Sequence, residues 1–264
     1  MSEINIMSEI NKIAFLIITT SNNRDNWNNI KDSYLFNTTL KTFLLTQDKE
    51  NLYKFYIGID ANDRIFDNKE QQYHITRFKR AFPNLEFEFI VFDNNIIPKG
   101  HLTIMWNVLF KKAYNDNYDY FYQCGDDIEF KTKGWINDSI KILKNKNNIG
   151  LTGPINNNNR ILTQSFVSRK HMEIFGWYFP EEIINWCCDD WYNMVYYPNY
   201  LYPLQNHYAE NNGGQPRYEI NNNPNFTGNN QEIFTRNINK LRLTTQNLAN
   251  KHKNLINLYI NKSV

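Results

Sequence analysis

The sequence is poor in cysteine. Its three cysteines, Cys124, Cys187 and Cys188, are odd in number, and two of them are adjacent. No C-x-x-C spacing occurs, so neither a disulfide framework nor a thiolate zinc site is indicated, and a reducing compartment fits best. An excess of one charge is also missing: 29 basic against 27 acidic residues leave a formal net charge of +2. No whole-chain field therefore favours nucleic acid or an anionic membrane. No stretch approaches the ~20 apolar residues of a spanning helix. The start of the chain lacks a basic region followed by an apolar one. Together these absences predict a soluble, cytoplasmic protein with no nucleic-acid partner and no membrane span. Phosphate-cradling loops are absent too, since neither G-x-G-x-x-G nor a Walker-type sequence occurs. A bound diphosphate would then be neutralised by a metal and side chains rather than by backbone amides.

What is present is a long apolar and aromatic complement. The 264 residues are 41% hydrophobic and 16% aromatic, enough to bury one large core or two small ones. Ile13 to Ile18 is a continuous apolar run, too short for a helix and typical of a strand buried on both faces. Phe55 to Ile59 and Phe87 to Phe92 repeat the pattern, ending at Asp60 and Asp93. Between them, Trp27 to Leu44 and Tyr73 to Phe82 carry helical spacing, the second stopped by Pro83. Leu102 to Ala113 forms a helical stripe that includes Met105 and Trp106, which reads as core packing. Strand and helix alternate four times up to residue 130, which predicts an α/β Rossmann-type sandwich with a central, mainly parallel sheet flanked by helices. The second half is less regular. A helix is expected around Trp135 to Leu143, strands over Ile149 to Gly153 and Ile161 to Val167, a mobile loop over Ala209 to Gln231, and C-terminal helices thereafter. No linker divides the chain. Residues 12–264 are expected to form one domain, with 13–130 binding nucleotide, 131–231 binding acceptor, and 232–264 helical.

The chemistry gathers around Tyr118 to Phe130, where an aromatic run breaks off in Gly125-Asp126-Asp127. Two like charges at the end of a buried strand are costly unless a positive group joins them. A hard divalent cation is one such partner; a solvated strand-to-turn corner is the alternative. Ligands of open α/β sheets bind beyond the carboxyl ends of the strands, where Thr20, Asp60, Asp93 and Asp126-Asp127 fall. Asp127 and His207 are candidate ligands for Mn²⁺, which accepts carboxylate, imidazole and phosphate oxygen. A hydrogen-bonded structural histidine is the other account of His207. Asp189 and Asp190 lie between Trp186 and Trp191. Aromatic faces stack on sugar rings and carboxylates bond sugar hydroxyls, although aspartate also caps helices. Lys99-Gly100 opens the Leu102 helix, whose free amides favour an anion. Arg217 either closes on a phosphate or stands in solvent.

These residues, in this order, resemble GT-A fold glycosyltransferases. The first strand ends in polar residues and an arginine. Pro98-Lys99-Gly100 and Trp106-Asn107 precede the acidic strand, and Asp126-Asp127-Ile128-Glu129-Phe130 resembles a DxD-type motif. Gly134-Trp135, Gly150 to Pro154, Cys188-Asp189-Asp190-Trp191 and His207 follow. The resemblance spans Ile13 to about Tyr218. It implies that Asp127 and His207 hold Mn²⁺ or Mg²⁺, that Asp126 contacts the donor sugar or ribose, and that Thr19, Thr20, Arg24 and Asp60 line the nucleoside pocket. Asp189 or Asp190 would be the catalytic base. Gly125 departs from the pattern, since many relatives carry an acidic residue there. The implied activity is metal-dependent, inverting transfer of a hexosyl or N-acetylhexosaminyl group from a UDP-sugar to a glycan or protein acceptor. The alternatives are a glycan- or nucleotide-binding protein without turnover, and a metal-dependent phosphoesterase or nucleotidyltransferase.

Overall fold

The computed structural model describes residues 10–214, 216–218 and 231–262. The first strand, β1 (Lys12–Thr19), alternates its side chains between two cores. Ile13, Phe15 and Ile17 enter one, and Ala14, Leu16 and Ile18 the other. β2 (Leu52–Asp60) pairs with β1 in parallel, and β3 (Leu85–Phe92) pairs with β2 in the same sense. β4 (Tyr120–Cys124) lies on the other side of β1, again parallel. In this register Thr19 lies beside Ile59, and Asp60 beside Phe92. The carboxyl ends of the strands thus form one rim. The sheet continues unbroken through the second half of the chain. β5 (Ile128–Phe130), β6 (Leu151–Ile155), β7 (Ser165–Ser168) and β8 (Leu201–Asn211) complete eight strands in the order β3-β2-β1-β4-β7-β6-β8-β5.

Helices cover both faces. Over the first core lie α1 (Lys41–Thr46), α2 (Lys69–Thr76) and α4 (Trp135–Lys144), which bury Phe43, Ile75 and Trp135. The Phe15 ring stacks on Phe55 at 4.6 Å between centroids and meets Phe43 and Tyr122 edge-on at 4.8 and 5.3 Å. Offset and edge-on contacts of this kind add about 0.5–1.5 kcal/mol each to the area they bury. The short edge strand β5 is blunted by the segment leading into α1. Thr39 Oγ1 accepts from the Ile128 amide at 2.9 Å, and Thr42 Oγ1 from the Phe130 amide at 3.1 Å. These hydroxyls occupy amides that a bare edge would leave open to another strand. Over the second core lie α3 (Leu102–Asn115), α5 (Lys170–Phe175), α6 (Cys188–Tyr196) and α7 (Gln231–Lys262). They contribute Leu109, Phe110, Met172, Trp191, Val195, Ala249 and Ile256.

Several local expectations are corrected. The helix or two expected over Trp27 to Leu44 takes the form of short helical pieces. The segment holds a 3₁₀ turn at Ile30–Asp32 capped by Asn29, a π-helical stretch at Leu35–Leu40, and then α1. The strand expected from Ile161 starts only at Ser165. Leu162 makes its bonds to a side chain instead: its amide donates to Asn193 Oδ1 at 3.1 Å, and its carbonyl accepts from Asn193 Nδ2 at 2.7 Å. The expected C-terminal helices are one helix, because Gln231 to Lys262 contains neither glycine nor proline to break it. Of the loop expected over Ala209 to Gln231, Ala209 to Asn211 belong to β8, and Gln215 and residues 219–230 lie outside the described residues.

The ring cluster yields a stability prediction. Phe15→Ala removes a fully buried ring and should cost about 3–5 kcal/mol, lowering Tm by on the order of 10 °C in a chain of this size. Leu45→Ala, at a side chain 66% exposed, should leave Tm within a degree or two. Thermal denaturation of the two variants checks the contrast.

Candidate active site

The rim at the carboxyl ends of β1, β2 and β4 carries the acidic turn. Asp126 is fully buried, and its charge is met from two sides. The Thr19 hydroxyl donates to Oδ2. The Arg217 guanidinium straddles both carboxylate oxygens as a fork and reaches Asp127 Oδ2 at 3.4 Å. Paired donors on one carboxylate form the strong, orientation-fixing kind of ion pair. The positive partner that the sequence demanded for this pair is thus an arginine in the structure. Arg217 is only 12% exposed, and its guanidinium lies 5.7 Å from the Tyr34 ring centre. Its neighbour Tyr218 donates to Asp60 Oδ2 at 2.7 Å, and Asn22 Nδ2 donates to the Arg217 carbonyl. Residues 216–218 therefore lie across the rim between Asp60 and Asp126.

Asp127 stands beside this pair and faces the cavity. Burial and the adjacent Asp126 push its carboxyl up to about 6, with Arg217 acting in the opposite direction. The chain passes very close to it. The Asn212 amide donates to the Asp127 carbonyl at 3.0 Å, and a Cβ on Gly213 would fall 1.6 Å from Asp127 Oδ2. Only glycine fits at 213 while the carboxylate holds this position.

A cavity of about 510 Å³ runs from Asp127 to the start of α6, and its lining includes Thr20, Trp106, Gln164, Trp186, Asp189 and Asp190. It also takes in Arg217, Ile238 and Arg242. The tandem aspartates fill the first turn of α6, after Cys187 in a left-handed conformation at φ 67°. The Asp190 amide donates to Asp189 Oδ1 at 3.0 Å, but the cap position is Cys187 and no side chain caps the helix. Burial and the charge of Asp190 nonetheless push Asp189 up to about 7. A carboxyl poised near neutrality, in a cleft, has the acidity expected of a general base. The neighbouring thiols are poor nucleophiles by the same physics: burial drives Cys187 up to about 12 and Cys188 well above its usual value.

The structure brings together Thr20, Asp127, Asp189 and Asp190 around one cavity, with Thr19 and Asp126 directly behind Asp127. Asp60 is on the rim, raised by burial and held by Tyr218. Arg24 supports the nearby chain by donating to the Gly213 carbonyl at 3.0 Å. Lys99 reaches Asn22 Oδ1 at 3.3 Å, and Gly100, at φ 83°, gives its carbonyl to Asn185 Nδ2. Neither lines the cavity, and an early amide of α3, that of Thr103, is taken by the Ile184 carbonyl at 3.2 Å. The anion seat expected at Lys99-Gly100 is to that extent occupied by protein.

His207 is not brought to Asp127. It sits on β8 five residues before the Asn212 contact, which at strand spacing is about 16 Å. Both ring nitrogens are engaged, Nδ1 with Thr132 Oγ1 at 3.1 Å and Nε2 with Asp138 Oδ2 at 2.8 Å. It ties β8 to the start of α4, and the expected Asp127–His207 ligand pair is corrected accordingly. Among the described residues, no group of three histidine, cysteine or acidic side chains converges as a metal site. Of the two expected ligands, Asp127 is the one that lines the cavity.

Sequence reasoning missed Asp63. Its carboxylate collects the Thr20 and Ser21 hydroxyls and the amides of Ser21, Ile65 and Phe66. Those bonds hold it below the usual carboxylate range and fix the loop after β1. Its place three residues after Asp60, in the same turn, was the available signal.

No protein-family model matches the sequence, and neither does any curated protein. Solved structures do match in fold. The S. aureus TarS fragment 1–349 in complex with UDP-GlcNAc superposes with a TM-score of 0.52 at 15% identity, covering 78% of this chain and 60% of that one. A further structure of the same fragment gives 0.50 at 15% identity, covering 75% and 60%. GalNAc-T7 with UDP, GalNAc and Mn²⁺ gives 0.52 at 10% identity, covering 78% and 44%. The chain thus spans 44–60% of the length of these structures. At such identities the shared property is the architecture, and that architecture is the GT-A fold.

Proposed function

We propose that the protein is a metal-dependent glycosyltransferase that moves a hexosyl or N-acetylhexosaminyl group from a UDP-sugar to a hydroxyl of a glycan or protein acceptor. One observation carries the reading: a single cavity at the carboxyl ends of the strands joins Asp127 to Asp189, Asp190 and Trp186. The UDP-GlcNAc in the TarS structure, and the UDP and Mn²⁺ in the GalNAc-T7 structure, support the choice of donor and ion. Residues 13–130 would bind the nucleotide and 131–231 the acceptor.

In this reading Thr19, Thr20, Asp60 and Asp126 shape the nucleotide end, and Asp127 holds the ion. The ion would offset charge on the departing diphosphate. Trp186, 40% exposed, offers a face for an acceptor ring. Asp189 takes the proton of the acceptor hydroxyl as its oxygen bonds to the anomeric carbon. The bond from that carbon to the β-phosphate oxygen breaks, and UDP leaves with the electron pair. Attack opposite the leaving group inverts the anomeric centre. A nucleotide-sugar-binding protein without turnover is the second reading, favoured by the Arg217 fork that already neutralises Asp126.

Incubation with UDP-hexoses, Mn²⁺ and acceptor should release UDP. Cleavage between the phosphates would indicate a phosphoesterase instead, and binding without release would indicate the second reading. Asp189→Asn should lower kcat about 10²–10⁴-fold. The base acts only when ionised, so with its carboxyl near 7 the rate should climb as pH rises through about 7 and level off above. A flat profile from pH 5 to 9 would exclude Asp189 as the base. Asp127→Asn should abolish the response to Mn²⁺, whereas His207→Asn should keep it and lower Tm, because its bonds are structural.

A further inference from the structure

The α6 end of the cavity carries two positive charges that the fold does not use. Arg160 lies in the loop between β6 and β7, and Arg242 stands on α7, one turn beyond the buried Ile238. Both residues line the cavity and both are exposed. Their backbones are well anchored. The Arg160 amide donates to Asn158 Oδ1 at 3.0 Å, and Asn157 Nδ2 in the same loop donates to the Asn211 carbonyl of β8 at 3.0 Å. The Trp191–His252 bond holds α7 to α6. The two guanidiniums are uncommitted: among the described residues, neither makes an ion pair or a hydrogen bond. Elsewhere Arg24, Arg64 and Arg169 donate to backbone carbonyls, and Arg217 donates to carboxylates. The fields of both free charges reach the first turn of α6. Arg160 draws the Asp189 carboxyl down, and Arg242 draws the Cys187 thiol down. Burial outweighs each pull, and Asp189 still stands at about 7. An arginine placed to neutralise Asp189 would pair with it and hold it below the usual carboxylate range. Arg160 does neither.

We propose that Arg160 and Arg242 form an oxyanion-reading subsite at the acceptor end of the cavity, and that the acceptor is a saccharide carrying a phosphate or carboxylate. The inference deepens the proposed transfer and rests on it. The donor diphosphate belongs at Asp127, so the oxyanion read here is a separate one. A guanidinium presents paired donors that match the oxygens of a carboxylate or a phosphate. Trp186, in the same lining, offers its face to the sugar ring that bears the group. Asp189 and Asp190 would by themselves repel an anionic acceptor, and two arginines beside them offset that repulsion. A neutral acceptor would leave both charges without a partner.

The test separates the acceptor from the donor. With UDP and Mn²⁺ present, calorimetry on the full chain measures Kd for glucose, glucose 6-phosphate, glucuronic acid and a glutamate-rich serine peptide. The same titrations, and one with UDP alone, are run on Arg160→Gln, Arg242→Gln and the double variant. Both side chains are exposed, so Tm should stay within about a degree or two. In the parent, glucose 6-phosphate or glucuronic acid should bind about tenfold or more tighter than glucose, and the tighter of the two names the oxyanion. Each single variant should weaken that ligand about threefold to tenfold, and the double variant should bind it no better than glucose. Glucose and UDP should stay within about twofold throughout. The preference should also shrink as salt is raised. Equal affinity for glucose and its anionic counterparts overturns the subsite. So does a loss of UDP affinity that matches the loss of the anionic sugar, because the arginines would then hold the donor. Tightest binding by the acidic peptide overturns the saccharide. If UDP-hexoses release UDP to neutral and anionic sugars at one rate, only the subsite fails. If anionic sugars bind through the two arginines but no UDP-hexose is bound or cleaved, the transferase reading fails and the oxyanion site remains.

Discussion

Two carboxylates held at the end of a buried strand set the terms for this molecule. Asp126 has no access to water, and Asp127 sits against both it and the backbone of Gly213. Such a pair persists only where positive charge and hydrogen bonds offset the lost hydration. The chain meets that demand with Arg217 and Thr19. Removing the arginine would leave a buried charge without its counter-ion, a change that typically costs about 3–5 kcal/mol.

The sheet makes the pair possible. Parallel strands β1, β2 and β4 bring Thr19, Asp60 and the acidic turn to one rim through register alone. The antiparallel β5–β8 ribbon then carries the chain back past the acidic turn, so that residues far apart in sequence touch Asp127. Aromatic rings fill the first core beneath the rim. On the other face, α6 is wedged between the sheet and α7, where the Trp191 indole donates to His252 Nδ1 at 3.2 Å. That wedge fixes where Asp189 and Asp190 point.

Much of this was legible in the chain itself, for identifiable reasons. The continuous apolar run of Ile13 to Ile18 and the apolar runs at Phe55 and Phe87 carry enough signal to place the parallel strands, and through them the rim. Asp127, Asp189 and Asp190 stand out because carboxylates beside buried aromatics are conspicuous. His207 misled because residue type says nothing about partners: Thr132 and Asp138 take both its nitrogens, and only strand register reveals that. Trp106 is read as core from its helical spacing, which its packing on Phe179 bears out. Asp63 and Arg217 act through contacts 42 and 91 residues away in sequence, beyond any local pattern.

Gly213 shows how little latitude such a site has. The backbone there leaves less room beside Asp127 than one methyl group needs. Any other amino acid at 213 would have to push either the strand or the carboxylate aside, and the carboxylate is the softer of the two. The position thus links the history of a loop to that of a residue 86 places earlier, since neither can drift without the other adjusting.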